Sequence, residues 1–274
     1  MQASDLIELS MSNPETLPIE EIALLVAKAH DPNLCLQSYR NRLDDYAHDA
    51  RQRIGGVVGG PALARGLSHY LFEVEGFRGN RQDYYNPSNS LFNDVLDQRT
   101  GIPITLSILY IAVGRRLQLP LAGIGFPGHF LVRYHEAGAH FFIDPFNRGR
   151  LLTPEECQKR LQEQYGKALP YRPEYMEPST HREILVRLLT NLKMAYMMRK
   201  EFENVITVLS QILLFAGDGA EELKERGLVY YHMECFNAAK QDLENYLARK
   251  PSSPDRELIR TFLHDLSTKI AQLQ

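Results

Sequence analysis

The sequence predicts an α+β protein in which a helical lobe and a small antiparallel sheet are followed by an all-α domain of helical hairpins. Residues 99–144 show a dense apolar helix pattern and then short runs rich in β-forming residues. Apolar residues recur at helical spacing before this segment. The last third of the chain repeats its pattern at a fixed shift of 34 residues, for example from Tyr196 to Tyr230.

The first hundred residues predict the helical lobe. Glycine pairs interrupt it, and the run GGVVGGP lacks the Lys-Ser/Thr pair with which a nucleotide-binding loop holds phosphate and metal, so a flexible connection is the better interpretation. Asn89 and Asn93 are expected one helical turn apart, bracing the backbone at Thr100 or Gly101. Helices are predicted over residues 4–12 and 19–30, after Asp31-Pro32, and over about 61–74 and 88–99.

The central segment predicts a buried helix and a hairpin. Gly101 ends the preceding helix, and Pro103 stands where the next one starts. The run from 104 to 113 is too densely apolar for a helix that faces solvent. Strands are expected over 121–126, 129–134 and 141–143, with residues 136–139 as the turn before the last one.

The hairpin brings together two candidate catalytic residues, His129 and Asp144. If residues 137 and 138 are the central turn residues, Glu136 faces Ala139 and Asp144 lies diagonal to His129 on the same face of the sheet. A slip of one residue would send the two side chains to opposite faces. An aspartate that orients an imidazole is the arrangement found in thiol and hydroxyl triads.

These motifs resemble a known family. N-S-L-F-N-D-V-L, G-I-P-I-T-L-S, P-G-H-F-L-V-R and I-D-P-F together resemble the transglutaminase-like core of the bacterial SirB (YchA) type, over roughly residues 30–165. The resemblance implies a papain/transglutaminase-like fold, in which active enzymes begin the core helix with a G-x-C motif. Counting back from Leu119-Pro120 places that cysteine slot at Pro103, which has no nucleophile. Thr105 and Ser107 lie just beyond it as alternative nucleophiles.

The C-terminal third resembles tetratricopeptide repeats, whose period is about 34 residues. Gly227 matches the small residue needed where the two helices of a repeat meet, whereas Lys193 occupies that position in the first repeat. An amphipathic helix from Leu258 to Ile270 follows. The residues that recur are Tyr196, Phe202, Val205, Leu209 and Ile212, which return as Tyr230, Phe236, Ala239, Leu243 and Tyr246.

Two domains follow from this organisation. The first, residues 1–170, holds the helical lobe and the transglutaminase-like core, and the second, residues 180–274, holds the repeats. The boundary is the proline-rich stretch 169–179. Before it, Thr153-Pro154 begins a helix that should end near Gly166.

The composition excludes several classes of function. Basic and acidic residues nearly balance, at 31 and 34, without a polybasic run, so neither nucleic acid nor a membrane surface is the expected partner. The three cysteines are far apart, which predicts neither a disulfide framework nor a zinc site and favours a reducing cytoplasm. His135 lies too far along the strand from His129 to share a metal ion with it. No cofactor or metal is predicted.

Two functions remain open, and the sequence makes no prediction of oligomeric state. The first is a noncatalytic scaffold or regulatory factor, a pseudoenzyme whose repeats bind a protein or peptide or only brace the core; SirB-type proteins are associated with regulation of invasion-gene expression. The second is a hydrolase or acyltransferase in which Thr105 or Ser107 attacks an amide with the His129–Asp144 pair. The first is favoured because hydroxyls are weaker nucleophiles than thiolates and because fold resemblance does not transfer function.

Overall fold

The computed structural model describes residues 4–56, 60–136 and 139–272, and the chain divides into two compact units, 1–188 and 189–274. The division falls within helix α8. The helices of the first unit are α1 (Ser4–Met11), α2 (Ile19–His30), α3 (Leu36–Ile54), α4 (Gly60–His69), α5 (Phe92–Gln98), α6 (Pro103–Arg116) and α7 (Pro154–Tyr165). Its strands are β1 (Arg78–Gly79), β2 (Thr100–Gly101), β3 (Leu121–Ile124), β4 (Leu131–Glu136), β5 (Ala139–Asp144) and β6 (Arg150–Leu152). The later helices are α8 (His181–Met198), α9 (Phe202–Phe215), α10 (Ala220–His232), α11 (Phe236–Arg249) and α12 (Arg256–Gln272).

Helix α6 is the centre of the first unit. It starts at Pro103 as predicted, and every side chain from Pro103 to Gly114 is buried. Proline suits this first helical position because it has no N–H to leave unpaired and its φ is already helical. Helices α2 to α5 and strands β3 and β4 pack around α6, so the dense apolar pattern is explained by burial on all sides.

An ion pair at the end of α6 ties it to α2. Glu20 is fully buried, and its Oε1 accepts hydrogen bonds from Arg115 at 2.5 Å and Arg116 at 2.8 Å. A buried carboxylate is tolerated only when it is paired in this way. The two arginines also lie in the last turn of α6, where positive charge interacts favourably with the helix dipole.

The larger sheet is an antiparallel meander in the order β3-β4-β5-β6. Glu136 pairs with Ala139 and Val132 with Ile143, which is the register predicted from the turn; the two central turn residues lie outside the described residues. The predicted strand over 129–134 begins later, at Leu131, because His129 still belongs to the preceding turn. Strand β6 and the short parallel pair of β1 with β2 were not predicted.

Two further expectations concern helix ends. Thr153 caps helix α7 in a capping box: the Thr153 side chain accepts from the Glu156 amide, and the Glu156 side chain accepts from the Thr153 amide. The predicted helix over 88–99 was too long, because Asn89 lies in a 3-10 turn and α5 starts at Phe92. Asn89 and Asn93 therefore do not share a helix as expected.

The second unit follows the repeat predicted from the sequence. Successive helices α9, α10, α11 and α12 pack against one another. Gly227 lies where α10 meets α11, and a Cβ atom there would come within 2.9 Å of Leu243. Lys193, at the corresponding position of the first repeat, instead forms an ion pair with Glu225 at 2.5 Å. Phe202 and Phe236, the recurring residues at the start of α9 and α11, are partly buried. The other recurring residues of these two helices are buried: Val205, Leu209 and Ile212, and then Ala239, Leu243 and Tyr246.

Candidate functional site

The structure brings His129 and Asp144 together. His129 Nε2 lies 2.8 Å from Asp144 Oδ1, and the two residues are 7% and 1% exposed. His129 lies in the turn before β4, where its amide donates to the Phe126 carbonyl, and Asp144 ends β5. Because the meander holds β4 beside β5, the turn and the strand end meet at the same edge of the sheet.

The Asp144 carboxylate accepts hydrogen bonds from three residues. Burial would raise its pKa, but hydrogen bonds from His129, Asn147 and Arg160 outweigh burial and hold the pKa at about 2. Asn147 donates from its side chain at 2.6 Å and from its backbone at 3.2 Å, and Arg160 donates at 2.6 Å. The carboxylate is therefore ionised at neutral pH, and it holds the imidazole through Nε2.

The other imidazole nitrogen of His129 faces no partner within the described residues. A hydroxyl or thiol activated by His129 would have to lie within about 2.6–3.2 Å of this Nδ1. The ring packs edge-on against Phe146, with centroids 6.1 Å apart. The structure thus supplies an oriented base without a nucleophile beside it in the described part of the chain.

Thr105 and Ser107, the predicted alternative nucleophiles, are both fully buried in α6. The Thr105 hydroxyl donates to the carbonyl of Asn89 at 2.8 Å and accepts from the Ile102 amide at 3.1 Å. The Ser107 hydroxyl has no hydrogen-bond partner among the residues that the structure describes. Neither hydroxyl is hydrogen-bonded to His129, so the structure does not join them to the His129–Asp144 pair.

The cysteines offer no replacement. Cys157 lies close enough to Asp144 to interact with it electrostatically. However, Cys157 is only 1% exposed, and burial raises the pKa of its thiol to about 12. A buried thiol of this kind is a small apolar residue, not a nucleophile. Cys35 and Cys235 are exposed, and neither is hydrogen-bonded to the His129–Asp144 pair in the described chain.

Asn89 braces a different loop from the one expected. We predicted hydrogen bonds to Thr100 or Gly101, whereas its side chain donates to the carbonyls of Asp83 and Tyr84 at 2.8 and 3.1 Å. This fixes the loop over 80–86. Tyr84 then packs edge-on against Phe146, which in turn contacts His129. The loop therefore borders the candidate site. The side chain of Asn93, which was expected to brace the same backbone, instead donates a hydrogen bond to the carboxylate of Asp94.

Three residues of the site were missed from the sequence: Asn147, Arg160 and Arg187. Asn147 lies in the 3-10 turn Pro145–Asn147 that follows β5. Arg160 comes from α7, and Arg187 of α8 donates to the carbonyls of Phe126 and His129. No local pattern marks either arginine, because each reaches the site through tertiary packing. Neither α7 nor α8 has a sequence signal that sets its position relative to the sheet.

An open pocket of about 450 Å³ lies on the Arg160 side of Asp144. Its charges pair with one another: Arg150 with Glu156 at 3.0 Å and Arg160 with Asp144 at 2.6 Å. Among the described residues, no group of three or more histidine, cysteine, aspartate or glutamate side chains is arranged to hold a metal ion. The pocket is lined by Asp144, Asn147, Arg150, Leu152, Glu156, Lys159, Arg160 and Glu163.

The fold and the oriented His–Asp pair define a transglutaminase-like domain joined to helical repeats. Residues 37–190 match the transglutaminase-like superfamily and residues 192–264 match the tetratricopeptide repeat, so the chain belongs to the transglutaminase-like superfamily. More particularly, it belongs with the UPF0162 proteins of the SirB (YchA) type, which confirms the resemblance predicted from its motifs. The combination of a transglutaminase-like domain with tetratricopeptide repeats suggests a protein-interaction module.

The UPF0162 relatives cover nearly the whole chain. A UPF0162 protein of Xylella fastidiosa (strain 9a5c) is 35% identical over 267 residues, which are 96% of this chain and 95% of that protein. A UPF0162 protein of Vibrio cholerae is 26% identical over 254 residues, covering 92% and 94%. The F-box only protein 21 of Mus musculus is 42% identical over 100 residues, which are 34% of this chain and 16% of that protein.

Within the described residues, no helix has the length and apolar character needed to cross a membrane.

Proposed function

We propose that this protein is a noncatalytic transglutaminase-like protein whose helical repeats bind a segment of a partner protein. The observation that carries the proposal is the start of helix α6. Pro103 occupies the position where the resemblance places the catalytic cysteine, and the nearby hydroxyls of Thr105 and Ser107 are fully buried. An oriented His–Asp pair without a nucleophile cannot form a covalent intermediate.

The hydrogen bonds of Thr105 support a structural role for this hydroxyl. It bridges the backbone of the 3-10 turn at Asn89 and the first turn of α6. Using it as a nucleophile would leave the buried Ile102 amide and Asn89 carbonyl unpaired, and each unpaired group costs about 1–3 kcal/mol. In the proposal, the His129–Asp144 pair likewise holds the turn before β4 against the end of β5.

The repeat unit offers an apolar surface for a partner. Met194 and Met198 lie one turn apart on α8 and are 43% and 63% exposed. Methionine is flexible and polarisable, and exposed methionines are common on surfaces that bind amphipathic helices. The proposed partner segment is therefore an amphipathic helix whose apolar face covers these two side chains.

The experiment that tests the noncatalytic role is active-site labelling. The purified protein is treated with a fluorophosphonate, which labels activated hydroxyls, beside His129→Ala and Ser107→Ala variants. We expect no labelling of the native protein. Labelling of Thr105 or Ser107 that requires His129 would overturn the proposal and establish the alternative, an acyl-transfer enzyme that uses a hydroxyl with the His–Asp pair.

A gain-of-function variant sharpens this test. In a background carrying Cys35→Ser and Cys235→Ser, Pro103→Cys introduces a thiol at the proposed slot. If the slot assignment is right, His129 lies beside this thiol, and iodoacetamide should alkylate the thiolate that the imidazolium stabilises. The added substitution His129→Ala should raise the pH needed for alkylation. Equal reactivity with and without His129 would contradict the slot assignment.

Photo-crosslinking tests the repeat surface. A benzophenone amino acid is placed at Met198 and, as a matched exposed control, at Glu203 of α9. We expect a crosslinked product from position 198 that disappears when Met194→Glu is added, because a charge in the apolar contact is costly to bury. Equal crosslinking from both positions would contradict a specific surface on α8.

A further inference from the structure

Arg187 is a partly buried cation beside the candidate site, and no acidic side chain pairs with it in the described chain. Its Nη2 donates to the carbonyls of Phe126 at 2.9 Å and His129 at 2.5 Å. Its guanidinium lies 5.5 Å from the centroid of the Phe130 ring. Burial lowers the pKa of Arg187, and the neighbouring Tyr84 and Tyr165 act in the opposite direction.

Other partly buried arginines of this chain have carboxylate partners. Arg116 contacts Glu20 at 2.8 Å, and Arg226 contacts Asp242 at 2.7 Å. Because removing a charge from water is costly, buried cations are normally paired with an anion. Within the described part of the chain, the hydrogen-bond acceptors of Arg187 are two neutral carbonyls, and Nη2 donates to both. Its Nε and Nη1 groups have no acceptor among the described residues, although a guanidinium carries five N–H donors.

The turn that precedes β4 is shaped around this guanidinium. At Gly125 a Cβ atom would lie 3.2 Å from Nη1 of Arg187, and at Gly128 it would lie 2.1 Å from the Tyr165 hydroxyl. Gly128 also has a φ of +66°, which favours glycine. These two glycines therefore let Arg187 and Tyr165 approach the backbone of the turn.

A chain of contacts links Tyr84 and Arg187 to the turn at His129. Tyr84 packs on Phe146, Phe146 packs on His129, and the Arg187 guanidinium interacts electrostatically with Tyr84. The available donors are the Arg187 N–H groups and the hydroxyls of Tyr84 and Tyr165. A single positive charge with several neutral donors suits a planar monoanion better than a phosphate dianion.

We infer that Arg187, Tyr84, Tyr165 and the turn at His129 form a binding site for a carboxylate group of a peptide or small molecule. The carboxylate accepts hydrogen bonds from the N–H groups of Arg187 and supplies the counter-charge that the guanidinium lacks. This site belongs to the first unit and does not include Met194 or Met198 of the proposed partner surface. It requires no catalytic activity.

The test uses acetate as the probe and acetamide as its uncharged match. Histidine is labelled with ¹³C at Cε1 in the full chain, and the His129 resonance is assigned from its loss in His129→Gln. Titrations are run at constant ionic strength with sodium chloride. We expect a saturable shift of the His129 resonance with acetate, with a Kd on the order of 10 mM, and none with acetamide.

Two variants distinguish carboxylate binding by Arg187 from its structural role of holding the carbonyls of the turn. Arg187→Gln keeps an amide that can donate to the turn carbonyls but removes the charge, so acetate should bind at least about tenfold more weakly. The exposed Arg148→Gln is the matched control and should leave acetate binding unchanged. Tyr84→Phe removes one hydroxyl at the edge of the site and should weaken binding severalfold, a test that does not depend on the folding of the Arg187 variant.

Three results would overturn the inference. The first is the absence of a saturable acetate shift in the native protein up to about 200 mM, well above the expected Kd. The second is acetate binding that is unchanged in both Arg187→Gln and Tyr84→Phe. The third is tighter binding of inorganic phosphate than of acetate, which would replace the carboxylate site with a phosphate site.

Discussion

Replacing Asp144 with asparagine keeps the shape of the side chain and removes the charge that its hydrogen-bond partners stabilise. The pKa of Asp144 falls from an ordinary value of 3.8 to about 2 on folding. Each tenfold change in the acid dissociation constant corresponds to about 1.4 kcal/mol. The ionised carboxylate of this 1% exposed residue thus contributes about 2 kcal/mol to the free energy of unfolding at neutral pH.

The sign of the pH dependence follows from the lowered pKa. The stabilisation is fully present above about pH 5, where the carboxyl is ionised in both the folded and unfolded states. It is lost as the pH falls from about 4 to about 2, because protons then bind the unfolded chain first. Native protein and Asp144→Asn should differ by about 2 kcal/mol at pH 7 and converge near pH 2.

The measurement must report on the first unit, because two units can unfold separately. Hydrogen-exchange mass spectrometry in urea, read from peptides of β4 and β5, meets this need. The exposed Asp45→Asn serves as a control and should change the free energy of unfolding by less than about 0.5 kcal/mol. A difference between the native protein and Asp144→Asn that stays constant from pH 7 to pH 3 would refute the linkage argument.

Two further predictions concern packing and thiol chemistry. Gly227→Val should destabilise the repeat unit by about 1–3 kcal/mol, because the new side chain collides with Leu243 of α11. Gly217 faces open space, so Gly217→Val should not destabilise the unit in this way. Thermal unfolding followed by circular dichroism compares the two variants. Ellman's reagent should titrate Cys35 and Cys235 rapidly and Cys157 only after unfolding, because burial raises the Cys157 pKa to about 12; rapid reaction of all three thiols would contradict the described burial.

The sequence sufficed for those parts of the fold whose rules are local. Gly101 and Pro103 predicted where helix α6 starts, because one ends a helix and the other is already set for the first turn. The short turn after Glu136 set the register of β4 with β5, since the side-chain period of a strand is two. The meeting of His129 with Asp144 followed from this register, although His129 lies in a turn and not in the strand.

The rest of the site depends on contacts between distant parts of the chain. Arg160 and Arg187 reach the His129 turn from α7 and α8, and no periodicity sets where those helices pack. Strands of two or three residues, such as β1 and β6, are too short to show alternation. Asn89 was expected to brace the backbone, and it does, but the loop that it holds could not be chosen from spacing alone.

The order of the strands has a consequence for how this sheet assembles. Each strand from β3 to β6 pairs only with its neighbours in sequence, so every pairing closes a short loop and costs little chain entropy. Such local topology favours rapid folding, with one hairpin extending into the next. All four strands are complete by residue 152, so on the ribosome the sheet can form before the repeat unit has been synthesised. Substitutions at the His129 turn should therefore change the stability of the folded sheet at this turn more than they change the folding rate of the sheet.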